Sequence, residues 1–409
     1  MVDCWLPYGE TEVYVSVEMD YLLGIAKPSN VEPEKSPSEI IVDALEEPIG
    51  SRLEELLGRE TTVAIAVENY SSPNAVVQTL REVVKSLVEL IIPRDRITII
   101  IGNGDHERNK SPIIDAIKES ADLGNIRVVV HSRDTAGLVD LGATNRGTPV
   151  KINGMYHDAS LKIAVGETRL DQYMGFSGAH NAVVPGISSL ETIKENRKLY
   201  IDGDITPGVI ELNPIKEDAL EAAEKTGIDF AINFVTNNEG RVLAAHAGSY
   251  METWGRAINS LSTHYEARHE GNADIVVVSA GGAPFDQSLN SASLALLSAA
   301  EAAKKNGTLI LLAECSAGLG AEAFTQLAQV SEQSEFKRRY MYGAESLKQV
   351  KNVLKDHRVI LVSALPGYIV ESLGMEPARN ANDAYTRAVQ TRRGRRTTVI
   401  PHGLTTLLI

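Results

Sequence analysis

Leu161-Lys-Ile-Ala-Val165 runs through Gly166-Glu-Thr-Arg-Leu-Asp171 into Gly175-Phe-Ser-Gly-Ala-His-Asn-Ala-Val-Val-Pro-Gly186. A short apolar run gives way to a glycine-bounded loop of small residues, and the loop enters a helix. Bare backbone amides in such a loop can approach a phosphate or a carboxylate. The alternation recurs along the chain. Apolar, β-branched runs fall at 62–67, 97–101, 127–130 and 229–235, and a second set at 274–279, 308–312, 359–363 and 397–400. Helix-patterned stretches at 74–90, 112–121, 217–225, 290–305 and 344–355 separate them. Strands with few alternating polar positions, spaced by amphipathic helices, form parallel sheets covered on both faces. The expected fold class is therefore α/β, with two doubly wound domains.

A chain of 409 residues is too long for one ordinary core. The polar stretch 262–272, with His264, Glu266, Arg268, His269 and Glu270, marks the expected boundary, giving domains 1–268 and 269–409. A net charge of -14 opposes encounter with phosphate backbones, so no nucleic-acid partner is expected. The basic run Arg392, Arg393, Arg395 and Arg396 reads as a solvated loop. Cys4 and Cys315 stand far apart, which excludes a disulfide framework and a cysteine zinc site and suits a reducing cytoplasm. No stretch reads as a signal peptide, and none approaches the ~18 apolar residues of a membrane span. A cytoplasmic protein without a membrane partner is the expectation.

In open α/β sheets, ligands lie outside the carboxyl ends of the strands, so the loops that follow strands carry the chemistry. After 97–101 comes Gly102-Asn-Gly-Asp-His106-Glu, in which an imidazole sits between two acids that favour its protonated form. His106 is a candidate acid/base residue, and His180 inside the glycine loop is another. His131, His357 and His402 abut strands and read as structural or surface residues, and His246 as a packed one. After 274–279 comes Gly281-Gly-Ala-Pro-Phe-Asp286-Gln287, either a tight turn or a polar ligand site at a helix start. No Gly-x-Gly-x-x-Gly opens a helix after the first strand and no Gly-Lys-Ser/Thr phosphate loop exists, so nicotinamide cofactors and nucleoside triphosphates are not indicated.

Landmarks in one order along the chain resemble the nickel-dependent lactate racemase family. They are Leu6-Pro-Tyr-Gly9, Pro48-Ile-Gly-Ser51, residues 96–106, Gly175-Phe-Ser-Gly178, Val184-Pro-Gly-Ile-Ser-Ser189, Asp229-Phe-Ala-Ile-Asn233, Ala247-Gly248, Gly281 to Gln287 and Thr398-Val-Ile-Pro-His-Gly403. The resemblance implies two α/β domains with the active site between them. It also implies inversion of a 2-hydroxy acid by a nickel-pincer nucleotide that removes a hydride and returns it to either face of the ketone. Two histidines handle the hydroxyl proton, a lysine tethers the pincer and a further histidine ligates nickel. Cationic side chains hold the phosphate and the substrate carboxylate.

Carried over residue by residue, the first histidine matches His106 and the second falls on Asp171. The tethering lysine falls on Asn181, with His180 where an arginine would stand, and the nickel ligand falls on Arg197. An arginine falls near Ser71 or Ser72, the substrate-side tyrosine on Ala283, and a further lysine on Leu294. A guanidinium puts a fixed positive charge where a metal would need an imidazole. The cofactor is accordingly left unknown, and no metal ligands are assigned. The expected catalytic residues are His106, Asp171 and His180; the expected binding residues are Ser72, Gly178, Asn181, Arg197, Asp286 and Gln287. Three readings stay open for a cleft that takes a small organic acid. The first is a racemase-type isomerase working by acid–base chemistry, the second a noncatalytic binding or accessory protein, and the third a nickel-pincer racemase or epimerase with a noncovalently held cofactor.

Overall fold

A computed structural model describes every residue except 28–30, 59, 70–71, 104–111, 124, 134–136, 204, 206, 238, 331 and 392–393. His106, Ser71, Arg392 and Arg393 thus lie outside the described residues. The first of two six-stranded sheets has the order Val242–Gly248, Phe230–Thr236, Leu161–Glu167, Val63–Glu68, Ile97–Gly102 and Arg127–Val130. All neighbours are parallel except the edge strand Val242–Gly248. Val63–Glu68 and Phe230–Thr236 are buried at every position, as strands covered on both faces must be. One face takes Val76, Leu80, Val83 and Leu87 of helix Pro73–Glu89, and the other takes Ala182, Ala219 and Ala223 from helices Ala179–Val183 and Pro214–Thr226.

The second sheet is parallel throughout, in the order Glu376–Ala378, Arg358–Val362, Ala303–Leu312, Ala273–Ser279, Thr397–Ile400 and Leu22–Ile25. Its last strand comes from the start of the chain. The antiparallel hairpin Val2–Tyr8/Thr11–Val17 covers one face of this sheet, where Cys4, Leu6, Val15 and Val17 pack on Ile275, Val277, Ile310 and Leu312. Helices Ala295–Ala302 and Ala344–Asp356 cover the other through Leu296, Ala299, Leu347 and Val350.

Chain order assigns residues 1–26 to the first domain, whereas pairing and packing put Val2–Ile25 on the second sheet. The expected boundary stretch is also half structured. Helix Tyr250–Tyr265 runs into it, and Glu266–Ala267 pairs with Leu407–Leu408, so the C-terminus returns to the crossover. The single helix expected over 290–305 is two short helices, Leu289–Ala292 and Ala295–Ala302, followed directly by a strand from Ala303. Among the described residues no helix is long and apolar enough to cross a membrane.

Candidate active site

The loop after strand Leu161–Glu167 is built by close backbone packing. Asp171 Oδ1 accepts the amides of Tyr173 at 2.8 Å and Met174 at 2.7 Å, turning the chain so that Leu170–Asp171 pairs with Gly175–Phe176. Gly178 is extended; its constraint is space, because a Cβ there would lie 2.6 Å from Trp254 Cδ1 and 2.7 Å from Asn233 Oδ1. Asn233 Oδ1 accepts the Ala179 amide at 2.7 Å, and Trp254 Nε1 donates to the Ser177 carbonyl at 2.8 Å, fixing the start of helix Ala179–Val183. A Cβ on Gly186 would meet the Ala182 carbonyl oxygen at 2.1 Å, and one on Gly102 would meet Gly186 at 2.8 Å. The loop glycines are therefore demanded by neighbouring protein atoms, ahead of any ligand.

A cavity of about 140 Å³ lies between the domains, where the carboxyl ends of strands from both sheets face each other. The first domain contributes Glu68 and Gly102 from strand ends, then Arg169, Asp171, Asn181 and Arg197. The second contributes Phe285 and Leu294 from the segment after Ala273–Ser279, and Leu404 after Thr397–Ile400. Arg197 is 2% exposed and sits in the last turn of helix Leu190–Lys198, whose first turn is capped by Ser189 Oγ accepting the Thr192 amide at 3.1 Å. Its guanidinium carbon stands 4.1 Å from the centroid of the Tyr173 ring, a cation–π stack. Tyr173 is itself braced by Ser346, 2.9 Å from its hydroxyl, and by the edge of Tyr200 at 5.6 Å. Beside them, Arg169 lies 3.6 Å from both Glu68 and Glu167. Glu167 in turn accepts the Thr236 hydroxyl and the Ser72 amide.

Of the expected residues, Asp171, Asn181 and Arg197 converge on this cavity. Gly178 stands behind it, against Trp254. His180 is 1% exposed and is not among the cavity-lining residues; its ring meets Trp254 edge-on at 4.7 Å. Neither ring nitrogen has a hydrogen-bond partner among the described residues. Burial pushes the imidazole down to about 4, only partly opposed by the Asp171 carboxylate, so it is neutral at pH 7. Ser72 supports the charge cluster: its amide donates to Glu167 at 2.9 Å and its hydroxyl to the Gly240 carbonyl at 3.2 Å. Asp286 is fully buried, and its Oδ2 accepts the amides of Gly9 at 2.7 Å and Glu314 at 3.1 Å, tying the N-terminal hairpin to the second sheet. Gln287 is exposed and borders a neighbouring cavity of about 580 Å³ with Arg133 and Lys194. His131 has a structural role: its Nε2 donates to the Ser188 carbonyl at 3.0 Å, and its Nδ1 accepts from Asn153 Nδ2 at 3.2 Å.

Sequence reasoning missed Glu68, Arg169 and Tyr173. Glu68 and Glu167 each end a strand whose other positions are almost all buried, and a charge at that place is the signal that would have found them. Among the described residues, the cavity lining holds no lysine, histidine or cysteine, and no group of three or more metal-ligand side chains occurs. An Asn181 amide offers no amine for a covalent tether, and a guanidinium has no lone pair to give a metal. These residues do not fit a tethered nickel-pincer nucleotide.

Residues 8–206 match the lactate racemase N-terminal domain, and residues 268–408 match the lactate racemase C-terminal domain. The chain is 26% identical to the lactate racemase of Thermoanaerobacterium thermosaccharolyticum, over 94% of this chain and 93% of that one. It is also 26% identical to the lactate racemase of Lactiplantibacillus plantarum, over 99% of each. In structure it resembles the lactate racemase apoprotein from T. thermosaccharolyticum, with a TM-score of 0.86, 24% identity and full coverage of both chains. A Thermotoga maritima protein known from a crystal structure is similar with a TM-score of 0.68 and 15% identity, over 92% of this chain and 99% of that one.

Proposed function

Since the chain belongs to the lactate racemase family, we propose that it is a racemase-type enzyme that moves a proton at the carbon next to the carboxylate of a small 2-hydroxy acid. The observation that carries this reading is Arg197, a guanidinium 2% exposed yet lining the cleft, stacked on Tyr173 and on the same wall as Asp171. A rigid, planar cation in that setting binds a carboxylate through two parallel hydrogen bonds. It also stabilises the negative charge that spreads onto the carboxylate oxygens as the neighbouring carbon loses its proton. Asp171 is the base on one face: its Oδ1 is fixed by the turn amides, and its Oδ2 takes the proton. His106, which lies outside the described residues, is proposed from the sequence alone as the second acid/base group, so that a proton removed by one group is returned by the other.

No step runs through a nickel-pincer group, because Asn181 and Arg197 supply neither tether nor ligand. A noncatalytic binder is the second reading, supported by the withdrawal of His180 behind the cleft. Incubation of single enantiomers of 2-hydroxy acids in D2O, followed by NMR and chiral chromatography, separates the two. Deuterium incorporation with inversion is expected, falling by roughly 100-fold or more in Asp171→Asn and in His106→Ala. Binding without exchange in the unmodified protein, or an unchanged rate in both variants, would sink the acid–base role. Stoichiometric nickel in protein made by cells that synthesise the pincer would reinstate the family cofactor.

A further inference from the structure

The cavity of about 140 Å³ borders a second one of about 580 Å³, and Pro284 and Ser291 line both. Among the described residues, the charged side chains around the second cavity are Arg133, Lys194 and Glu322. Glu322 is exposed, and its Oε2 accepts from Gln326 Nε2 at 3.0 Å. Arg133 and Lys194 are half-buried and belong to the first domain, in a chain whose net charge is -14. The Arg133 carbonyl accepts the Leu190 amide at 3.4 Å, which seats it beside the start of helix Leu190–Lys198, the helix that carries Lys194. The acids nearest Lys194 in sequence are taken by other lysines: Glu191 pairs with Lys151 at 2.6 Å, and Glu195 with Lys198 at 3.3 Å. Lys194 itself makes no ion pair among the described residues.

Lys194 stands three residues before Arg197, which places their Cβ atoms about 5–6 Å apart on one side of the helix. One helix thus presents Arg197 to the smaller cavity and Lys194 to the larger. An apolar cavity of about 150 Å³ holds a benzene ring. A carboxylate and the carbon beside it, with a substituent of methyl size, therefore fill the smaller cavity. A longer substituent has to leave it along Pro284 and Ser291, and there it meets two cations. A half-buried ammonium without a counter-ion has lost part of its hydration and is compensated by an anion. Arg133 adds a planar fork that meets carboxylate or phosphate oxygens in pairs. The facing wall adds the neutral hydroxyls of Ser288 and Ser291. We propose that the substrate carries two anionic groups. Its first carboxylate sits on Arg197, and a second anion, a carboxylate or a phosphate farther along the same carbon chain, sits on Lys194 and Arg133. The proposal rests on the reading of the cleft as an organic-acid site.

Isothermal titration calorimetry with lactate, malate, 2-hydroxyglutarate and 3-phosphoglycerate, all of them 2-hydroxy acids, tests it. At least one acid with a second anion is expected to bind about tenfold or more tighter than lactate, the size of one charged hydrogen-bonded contact. A larger gain for 3-phosphoglycerate assigns the second group as a phosphate, and a larger gain for malate or 2-hydroxyglutarate assigns it as a carboxylate. Lys194→Gln is expected to cut the preference about tenfold and Lys194→Glu to abolish it; melting temperatures establish that both variants are folded. Arg197→Met is expected to weaken the preferred acid as well, because both ends of one molecule are held. Lactate binding at least as tightly as every other acid overturns the proposal, as does a preference unchanged in both folded Lys194 variants. Binding of the preferred acid unchanged in Arg197→Met overturns it too, since the anion then occupies the second cavity alone. Should lactate bind and Arg197→Met abolish its binding while no second anion adds affinity, the two-anion substrate fails and the organic-acid reading stands. Should no acid bind, both fail.

Discussion

Replacing His180 with phenylalanine isolates the consequence of burying an imidazole where nothing pairs with it. In the folded chain burial holds His180 at about 4, against an ordinary value of 6.5. The unfolded chain therefore takes up a proton, as pH falls through 6.5, that the folded chain refuses until about 4. Stability is complete above 6.5 and declines as pH falls toward 4, by about 1.4 kcal/mol per pH unit and about 3 kcal/mol at most. Urea denaturation at pH 7.5 and 5.0, followed by fluorescence, reads this directly, because Trp254 is buried 4.7 Å from the ring while Trp5 is exposed. The unmodified protein is expected to lose about 2 kcal/mol more than His180→Phe between those two conditions. His131, His246 and His402 are also depressed by burial, but they titrate in both proteins and cancel in the comparison. Parallel pH dependences would refute the reasoning. Acid binding is expected to survive the substitution, since the ring does not line the cavity; its complete loss would return His180 to the chemistry.

Gly186→Ala forces a Cβ to within 2.1 Å of the Ala182 carbonyl oxygen, where no side chain can yield. It is expected to cost about 3 kcal/mol or more in denaturant unfolding, or to prevent folding, and an unchanged midpoint would contradict the packing account. Asp286→Ala leaves the Gly9 and Glu314 amides without their shared acceptor. A loss of roughly 2–4 kcal/mol is expected, with the hairpin Val2–Tyr8/Thr11–Val17 cleaved first in limited proteolysis. Cleavage elsewhere at unchanged hairpin protection would reject that role. Arg197→Met is expected to weaken binding of a carboxylate ligand by about 100-fold in calorimetry, the size of a charged hydrogen-bonded contact, and equal affinity would remove Arg197 from the site.

The fold was legible wherever local sequence and burial say the same thing. Runs such as Val63–Glu68 and Ala273–Ser279 are apolar at nearly every position because both faces are covered, and that pattern needs no knowledge of partners. The strand Leu22–Ile25 was not legible, because its partner, Thr397–Ile400, lies at the far end of the chain and no local periodicity encodes such a pairing. The edge strand Val242–Gly248 was missed for a different reason. Its sequence, Val-Leu-Ala-Ala-His-Ala-Gly, lacks the β-branched signature, and the strand exists because Phe230–Thr236 offers it a ladder. Over 290–305, alanines and leucines carry a helical pattern into Ala303, where tertiary pairing with Ala273–Ser279 overrides it and starts a strand.

The site divides along a sharper line. Gly102, Gly178 and Gly186 answer to atoms of the protein itself: the Ala182 carbonyl, the Gly186 backbone, Trp254 and Asn233. Any chain with this backbone needs them, whatever reaction it runs. Asp171, Asn181 and Arg197 also line the cavity, so a ligand or a cofactor bears on what they are in addition to the turn amides at Asp171 and the Tyr173 ring under Arg197. Landmarks of the first kind identify a scaffold and say nothing about side chains of the second kind. That is why such glycines go with a lactate racemase fold, while Asn181 and Arg197 offer neither an amine for a covalent tether nor a lone pair for a metal. Direction matters too, and sequence does not supply it. His180 and Asn181 are neighbours on the five-residue helix Ala179–Val183, yet Asn181 faces the cleft and His180 faces Trp254. Adjacent residues on a helix lie about 100° apart, so one step along the chain separates a residue that meets substrate from one that packs behind it.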